Sequence, residues 1–317
     1  MFFKNALFCL GQRRISTINK YMKNNGGRPR KSGPTSSTAA RLLTSHTTST
    51  TTTTTRPSPS LTVTECIRQN QHQREELAAA YQVLQHFGLS EGIHNHLSTR
   101  APARNGTGEV MLVFPFGLHW SEVTASSLVG VDLEDDSIVE GSGQPEATAI
   151  SIHCEVHRAL LQTGSSMNSV FHVHPPYVSA LSCLKDPTLR MIHQTSTMFF
   201  KDVAYDTAYD GLANTSSEGA RIAKQMGGKS ILLMGNHGIL VTGKSVACAF
   251  NSTFYLERAA MVQILAMSSG EELVELDDET SSVTHKALMN TFLQDSKLYF
   301  EAMKRVIKNK KPPNFTE

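Results

Sequence analysis

The chain has 317 residues and a formal charge of +2, from 30 Lys+Arg against 28 Asp+Glu. All ten charged residues up to Thr64 are basic, which leaves a body of 20 basic and 28 acidic residues, net −8. A body of about 250 residues can bury one sizeable core; its acidity disfavours nucleic-acid binding, no apolar run nears the ~18 residues of a bilayer span, and five scattered cysteines without a C-x-x-C pair exclude a cysteine-built zinc module.

Residues 1–62 form an extension. Met-Phe-Phe-Lys, Leu7, Phe8, Leu10, Arg13-Arg14 and abundant Ser/Thr without acid have the pattern of a transit peptide, and a mitochondrial address is expected. The alternative is a cytoplasmic or cytoskeletal protein with a basic tail. Eight threonines among Thr47–Thr55 belong to a Thr/Ser/Pro tract with too little apolar side chain to offset chain entropy, so it is expected to be a disordered linker.

From Glu65 to Phe87, Ile67, Leu77, Ala80, Val83, Leu84 and Phe87 recur at helical spacing until Gly88. Short β-like runs follow at His96–Arg100, Val110–Phe114 and Leu128–Leu133. The pattern is helical again over Ala147–Leu161, with a loop at Thr163–Asn168. Ser169–His174 alternates as a strand should, and Pro175-Pro176 permits a new helix start. A helix over Ser217–Met226 is closed by Gly227-Gly228. Strands at Ser230–Met234 and Ile239–Thr242 flank Gly-Asn-His-Gly, and helices are expected over Ser245–Met267 and Val283–Ile307. Alternating helices and strands in one block predict a three-layer α/β/α domain over 63–280, followed by a C-terminal helix and basic tail over 281–317.

Thirteen histidines are many for this length. His172 and His174 stand two apart at the end of a predicted strand, so both imidazoles point to one face at a sheet edge. His237 sits between glycines in the turn joining two apolar strands. Three imidazoles with open positions would suit a catalytic divalent metal, zinc above all. The plain alternative is three hydrogen-bonded, idle histidines. His153 and His157 lie at i, i+4 on one helix face.

Several segments together resemble the class II aldolase/adducin N-terminal domain. They are Asn-His-Leu-Ser-Thr-Arg (95–100), Phe-Pro-Phe-Gly-Leu (114–118), Glu-Val-Thr-Ala-Ser-Ser-Leu-Val (122–129), His-Val-His-Pro-Pro (172–176), Asp-Val-Ala-Tyr (202–205) and Gly-Asn-His-Gly-Ile-Leu-Val (235–241). The resemblance covers about 75–270 and implies an α/β/α sandwich around a mostly antiparallel sheet. It also implies a homotetramer in the sugar-phosphate aldolases, where the histidines matching His172, His174 and His237 hold zinc. That zinc polarises a hydroxy-carbonyl substrate and stabilises the enediolate of C–C cleavage.

Other positions depart from the aldolases. Their glutamate, four residues before a helix histidine, falls at Ala149 or at His153, depending on whether that histidine is His153 or His157. Their phosphate-binding Asn falls at His96, a phosphate-binding hydroxyl residue at Phe116, and a proton-donating Tyr at Gln194. Phe116 cannot hydrogen-bond a phosphate. The expected activity is therefore a metal-dependent carbon–carbon lyase acting on a small, non-phosphorylated hydroxy-carbonyl compound or hydroxy acid. His153, His157 or Glu146 would transfer the proton, and His94, His96, Arg100, Phe116 and Gln194 would line the substrate pocket. The alternative is a non-enzymatic, adducin-like module binding the actin cytoskeleton, against which the chain ends soon after the domain with only a small basic cluster.

Overall fold

The computed structural model describes residues 61–208, 211, 215–309 and 314–316. The expected address and linker lie outside the described residues except for Leu61 and Thr62. The Thr62 hydroxyl caps the first helix by accepting from the Glu65 amide. In chain order, α1 (Val63–His86) leads to β1 (His96–Pro102), β2 (Glu109–Val113), β3 (Val129–Asp132) and β4 (Ile138–Glu140). Then come α2 (Ala147–Gln162), β5 (Ser169–Val173), α3 (Pro176–Ser182), β6 (Val203–Asp206), α4 (Ser216–Gln225), β7 (Ile231–Met234) and β8 (Gly238–Gly243). The long helices α5 (Val246–Met267) and α6 (Asp278–Lys308) follow. Short 3-10 turns occupy Trp120–Glu122 and Gln194–Phe199.

The eight described strands form one sheet in the order β4-β3-β2-β1-β5-β8-β7-β6. Of these, β6 and β7 pair in parallel and the other neighbours are antiparallel. Side-chain alternation then sorts each strand into two faces. Leu97, Phe171, Val173, Ile239 and Val241 enter the larger core with α1 and α5. On the other face Val170, Leu232 and Leu240 meet Ile152 and Val156 of α2 and Ile222 of α4. This is the expected three-layer sandwich around a mostly antiparallel sheet. α4 crosses α2 at backbone distance: a Cβ at Gly219 would overlap the Ser151 carbonyl, so only glycine fits there.

Three features differ from the sequence expectation. β4 and β6 are three- and four-residue edge strands, too short to show a period of two. α6 starts five residues before the expected Val283, because the Asp277 side chain caps it. That carboxylate accepts from the Thr280 amide at 2.7 Å. The helix packs through Phe300, Met303 and Ile307 into the larger core.

One buried hydroxyl fixes where the site begins. β2 pairs with β1 only from Thr99 onward, leaving the Leu97 backbone without a strand on that side. A buried backbone amide and carbonyl need partners, and Tyr81 of α1 supplies both. Its hydroxyl donates to the Leu97 carbonyl at 2.7 Å and accepts from the Leu97 amide at 2.8 Å. The start of β1, and with it His96, is thereby held against β5, where His96 and His172 are direct cross-strand partners.

Candidate metal centre

His172 lies on β5, on the same face as Val170. His174 lies just past the strand, where its amide donates to the Asn95 side chain at 3.2 Å. His237 is carried by the β7–β8 turn, in which Asn236 adopts φ +55° and the His237 amide donates to the Met234 carbonyl at 3.2 Å. The next residue, Gly238, is a glycine for His174's sake. A Cβ there would overlap Cδ2 of that ring and lie 2.7 Å from the Val173 carbonyl oxygen. Together these elements bring one nitrogen of each of His172, His174 and His237 within 4.8 Å of one another.

The donor set fits a metal ion, and tautomers explain why. The second nitrogen of His172, Nδ1, faces the Ile239 carbonyl oxygen at 3.0 Å, and Nδ1 of His174 faces a carboxylate oxygen of Glu91 at 2.5 Å. Both partners accept only, so both Nδ1 atoms carry protons. In neutral rings this leaves two lone pairs on the Nε2 atoms, which stand 3.3 Å apart. Such lone pairs repel unless a cation, a proton or a metal, sits between them. Ligand bonds of about 2.0–2.1 Å at a tetrahedral zinc also separate neighbouring nitrogens by about 3.3–3.4 Å. Burial, followed by the neighbouring histidines, holds the His172 pKa well below its usual value. Burial and then His174 bring His237 down to about 4. Unprotonated imidazole is the form a metal takes.

Behind His172 lies a row of buried imidazoles. His96 packs on His172 with ring centroids 5.1 Å apart. Its Nδ1 meets Nε2 of His153 at 2.8 Å, and its Nε2 meets the Thr148 hydroxyl at 3.2 Å. The Ser98 hydroxyl bridges Nδ1 of His153 at 2.5 Å and Nε2 of His157 at 2.8 Å. Burial first, then neighbouring histidines, keeps His96 and His153 neutral. Burial and then the Arg100 charge push His157 down to about 3.

The structure brings some of the expected site residues together and separates others. His153 and His157 are wholly buried and bonded to one another through Ser98, so neither has a face to offer a substrate. His96 stands behind the triad, held on both ring nitrogens, and does not line an open pocket. Arg100 is four residues further along β1, about 13 Å at strand rise. There it pairs with Glu109 and bonds the Met167 carbonyl. Gln194 lines a separate cavity of about 260 Å³ with Asn251, Tyr255 and Tyr299. His94, Phe116 and Glu146 do come together: the His94 ring lies 5.8 Å from the Phe116 ring, and its Nδ1 is 3.3 Å from a Glu146 oxygen. The other Glu146 oxygen is buried without a hydrogen-bond partner among the described residues. Glu91 and Thr148 carry no signal in the sequence, and Asn95 and Ser98 stand in the Asn-His-Leu-Ser-Thr-Arg segment without an assigned role. Each acts through contacts across the fold, and no spacing announces such contacts.

The family model of the class II aldolase and adducin N-terminal domain matches residues 75–264. A Pseudomonas aeruginosa protein whose name places it in aldolase class 2 is 34% identical over 203 residues, 64% of this chain and 74% of that one. Mouse alpha-adducin is 35% identical over 208 residues; the match takes in 64% of this chain but only 27% of the adducin. The crystal structure of an aldolase II superfamily protein from Pseudomonas syringae superposes with a TM-score of 0.70 at 31% identity. That match covers 78% of this chain and 96% of that one.

Proposed function

The chain belongs to the class II aldolase and adducin N-terminal domain family, and from that membership we propose that it is a metal-dependent carbon–carbon lyase. The single observation that supports the reading most is the facing pair of Nε2 atoms on His172 and His174, each left with its lone pair by a committed second nitrogen. His172, His174 and His237 would hold the ion, zinc by the softness of an all-imidazole set. A divalent metal there supplies Lewis-acid stabilisation of negative charge on a substrate's carbonyl or carboxylate oxygen.

The chain's own residues supply the rest. Glu146, at the amino end of α2, has one oxygen on the exposed His94 and the other buried without a hydrogen-bond partner among the described residues, and through the His94 contact it would take or return a proton. His94 orients that carboxylate, and Phe116 offers an apolar wall beside it. Glu91 stands behind His174 and Glu146 pairs with His94, and by the family resemblance Phe116 takes a position at which the aldolases bind phosphate. A phosphate dianion would be repelled here, so the substrate is a small non-phosphorylated hydroxy-carbonyl compound or hydroxy acid, cleaved by an aldol or a decarboxylative route. The working form is a homotetramer, and residues 1–62 direct it to the mitochondrion.

Metal analysis of the full chain, paired with turnover on a panel of unphosphorylated hydroxy acids, tests the reading. One equivalent of zinc, manganese or iron per chain, lost in His172→Ala together with activity, is the expected result. The adducin similarity favours a second reading, an actin-binding module without chemistry. A metal-free chain that co-sediments with filamentous actin would replace the first reading by the second.

A further inference from the structure

The row behind the triad has a direction. On β1, His96, Ser98 and Arg100 alternate onto the face that meets α2, and His153 and His157 stand one helical turn apart opposite them. At the far end Nδ1 of His157 is buried with no hydrogen-bond partner among the described residues. An orphaned N–H donor there would forfeit a bond and point its positive end into the field of the Arg100 guanidinium; a lone pair is favoured by that field. The proton of His157 therefore sits on Nε2 and is donated to the Ser98 oxygen.

The remaining protons then follow in turn. Ser98 has one hydroxyl proton, and its choices are Nδ1 of His153 at 2.5 Å or the Val170 carbonyl at 3.5 Å. At the longer distance the carbonyl cannot compete. Ser98 donates to Nδ1 of His153, which leaves the His153 proton on Nε2, donating to Nδ1 of His96. His96 in turn carries its proton on Nε2 and donates to the Thr148 oxygen. Since Thr148 accepts from within, its own hydroxyl proton is free to point outward from the half-buried first turn of α2, two residues from Glu146.

We propose that His157, Ser98, His153 and His96 form a one-way hydrogen-bond row, oriented by the charge of Arg100, whose output is the Thr148 hydroxyl, presented at the site as a fixed donor to a substrate oxygen. His157, Ser98, His153 and His96 are positioning residues: none touches substrate and none changes charge. Thr148 is the group that selects a substrate with an acceptor oxygen at that point. The Thr148 role rests on the lyase reading; the direction of the row does not.

Long-range proton–nitrogen correlation spectra of the full chain, labelled with ¹⁵N in histidine and assigned by single His→Gln variants, read each tautomer directly. His96, His153 and His157 are all expected to carry the proton on Nε2. A proton on Nδ1 of His96 or His153 would overturn the proposal. Ser98→Ala, which removes one buried atom, is expected to give mixed tautomers at His153 and His96 with metal content unchanged; unaltered tautomers would also overturn it. Thr148→Val is expected to lower kcat/KM on the order of 10-fold, as for one lost hydrogen bond, and Thr148→Ser to restore it. Full activity in Thr148→Val would remove Thr148 from the proposal. The expected tautomers in a chain without lyase activity would instead sink the functional reading and leave the row standing.

Discussion

The Glu91 carboxylate reaches Nδ1 of His174 at 2.5 Å across 83 positions of sequence. It stands in a short turn whose two ends, Glu91 and His94, form an isolated β-bridge, so its reach is set by backbone rather than by chance. A carboxylate behind a ligating histidine fixes the ring's tautomer and raises its basicity. Losing such a partner commonly costs about 10–100-fold in metal affinity. Glu91→Gln keeps an acceptor but drops the charge, and metal binding is expected to weaken about 10-fold; Glu91→Ala should approach about 100-fold. Chelator competition on the two variants checks this, and an unchanged affinity would show that another group orients His174.

Gly238 makes the opposite kind of contribution, by having nothing where His174 needs room. Gly238→Ala puts a methyl inside the contact distance of both the His174 ring and the Val173 carbonyl. Either the ring or the β7–β8 turn must move. Overpacking of this sort costs about 1–3 kcal/mol. Urea denaturation should show that loss, and metal content should fall with it. A variant that keeps full metal occupancy would mean that the turn, and not the imidazole, gives way.

A third expectation concerns β4, whose Glu140 lies against α1. Arg74 is 2% exposed and donates to Glu140 at 2.7 Å, to Asn70 at 2.7 Å and to the Leu128 carbonyl at 2.5 Å. Glu140→Ala strands that guanidinium in the interior, and breaking a buried pair by removing one partner costs about 3–5 kcal/mol. The Arg74→Met, Glu140→Met double variant is expected to recover most of this. Thermal unfolding of both distinguishes them; equal losses would mean that the network acts through shape rather than charge.

Much of this arrangement is legible in the chain and some is not, for physical reasons. β5 announces itself by alternation ending at Pro175-Pro176, β7 and β8 by short apolar runs around Gly-Asn-His-Gly, and the His-Val-His end of β5 places two imidazoles on one face before any fold is known. Antiparallel pairing cannot be read from a period of two, because both sheet types share it; it comes from the family resemblance. The i, i+4 pair His153 and His157 shows that the two share a helix face, yet spacing cannot say whether that face meets solvent or Ser98. Arg100 shares a strand face with His96, but a face extends along the strand, and four residues carry it out of reach. Glu91 and Gly238 matter through contacts with one ring, and single contacts leave no pattern.

The buried histidines also set how the fold responds to acid. His157 is neutral in the folded chain with its pKa lowered to about 3, whereas in the unfolded chain it returns to about 6.5. Below about pH 6.5 the unfolded state therefore binds the extra proton, so stability is complete above that pH and falls as pH drops toward the folded value. The sign is that of a group buried uncharged. For His157 alone the loss reaches about 3 kcal/mol by about pH 4. His157→Gln removes the titration while an amide can still donate to Ser98. Urea denaturation of the metal-free chain at pH 8, 6 and 5 is expected to find the variant about 1 kcal/mol less stable than the parent at the highest pH. The gap should close near pH 6 and reverse by about 1 kcal/mol at pH 5, the variant's stability falling less steeply by up to about one proton. Parallel curves for the two proteins would show that His157 binds its proton equally well folded and unfolded, and that neither burial nor the Arg100 charge lowers its pKa.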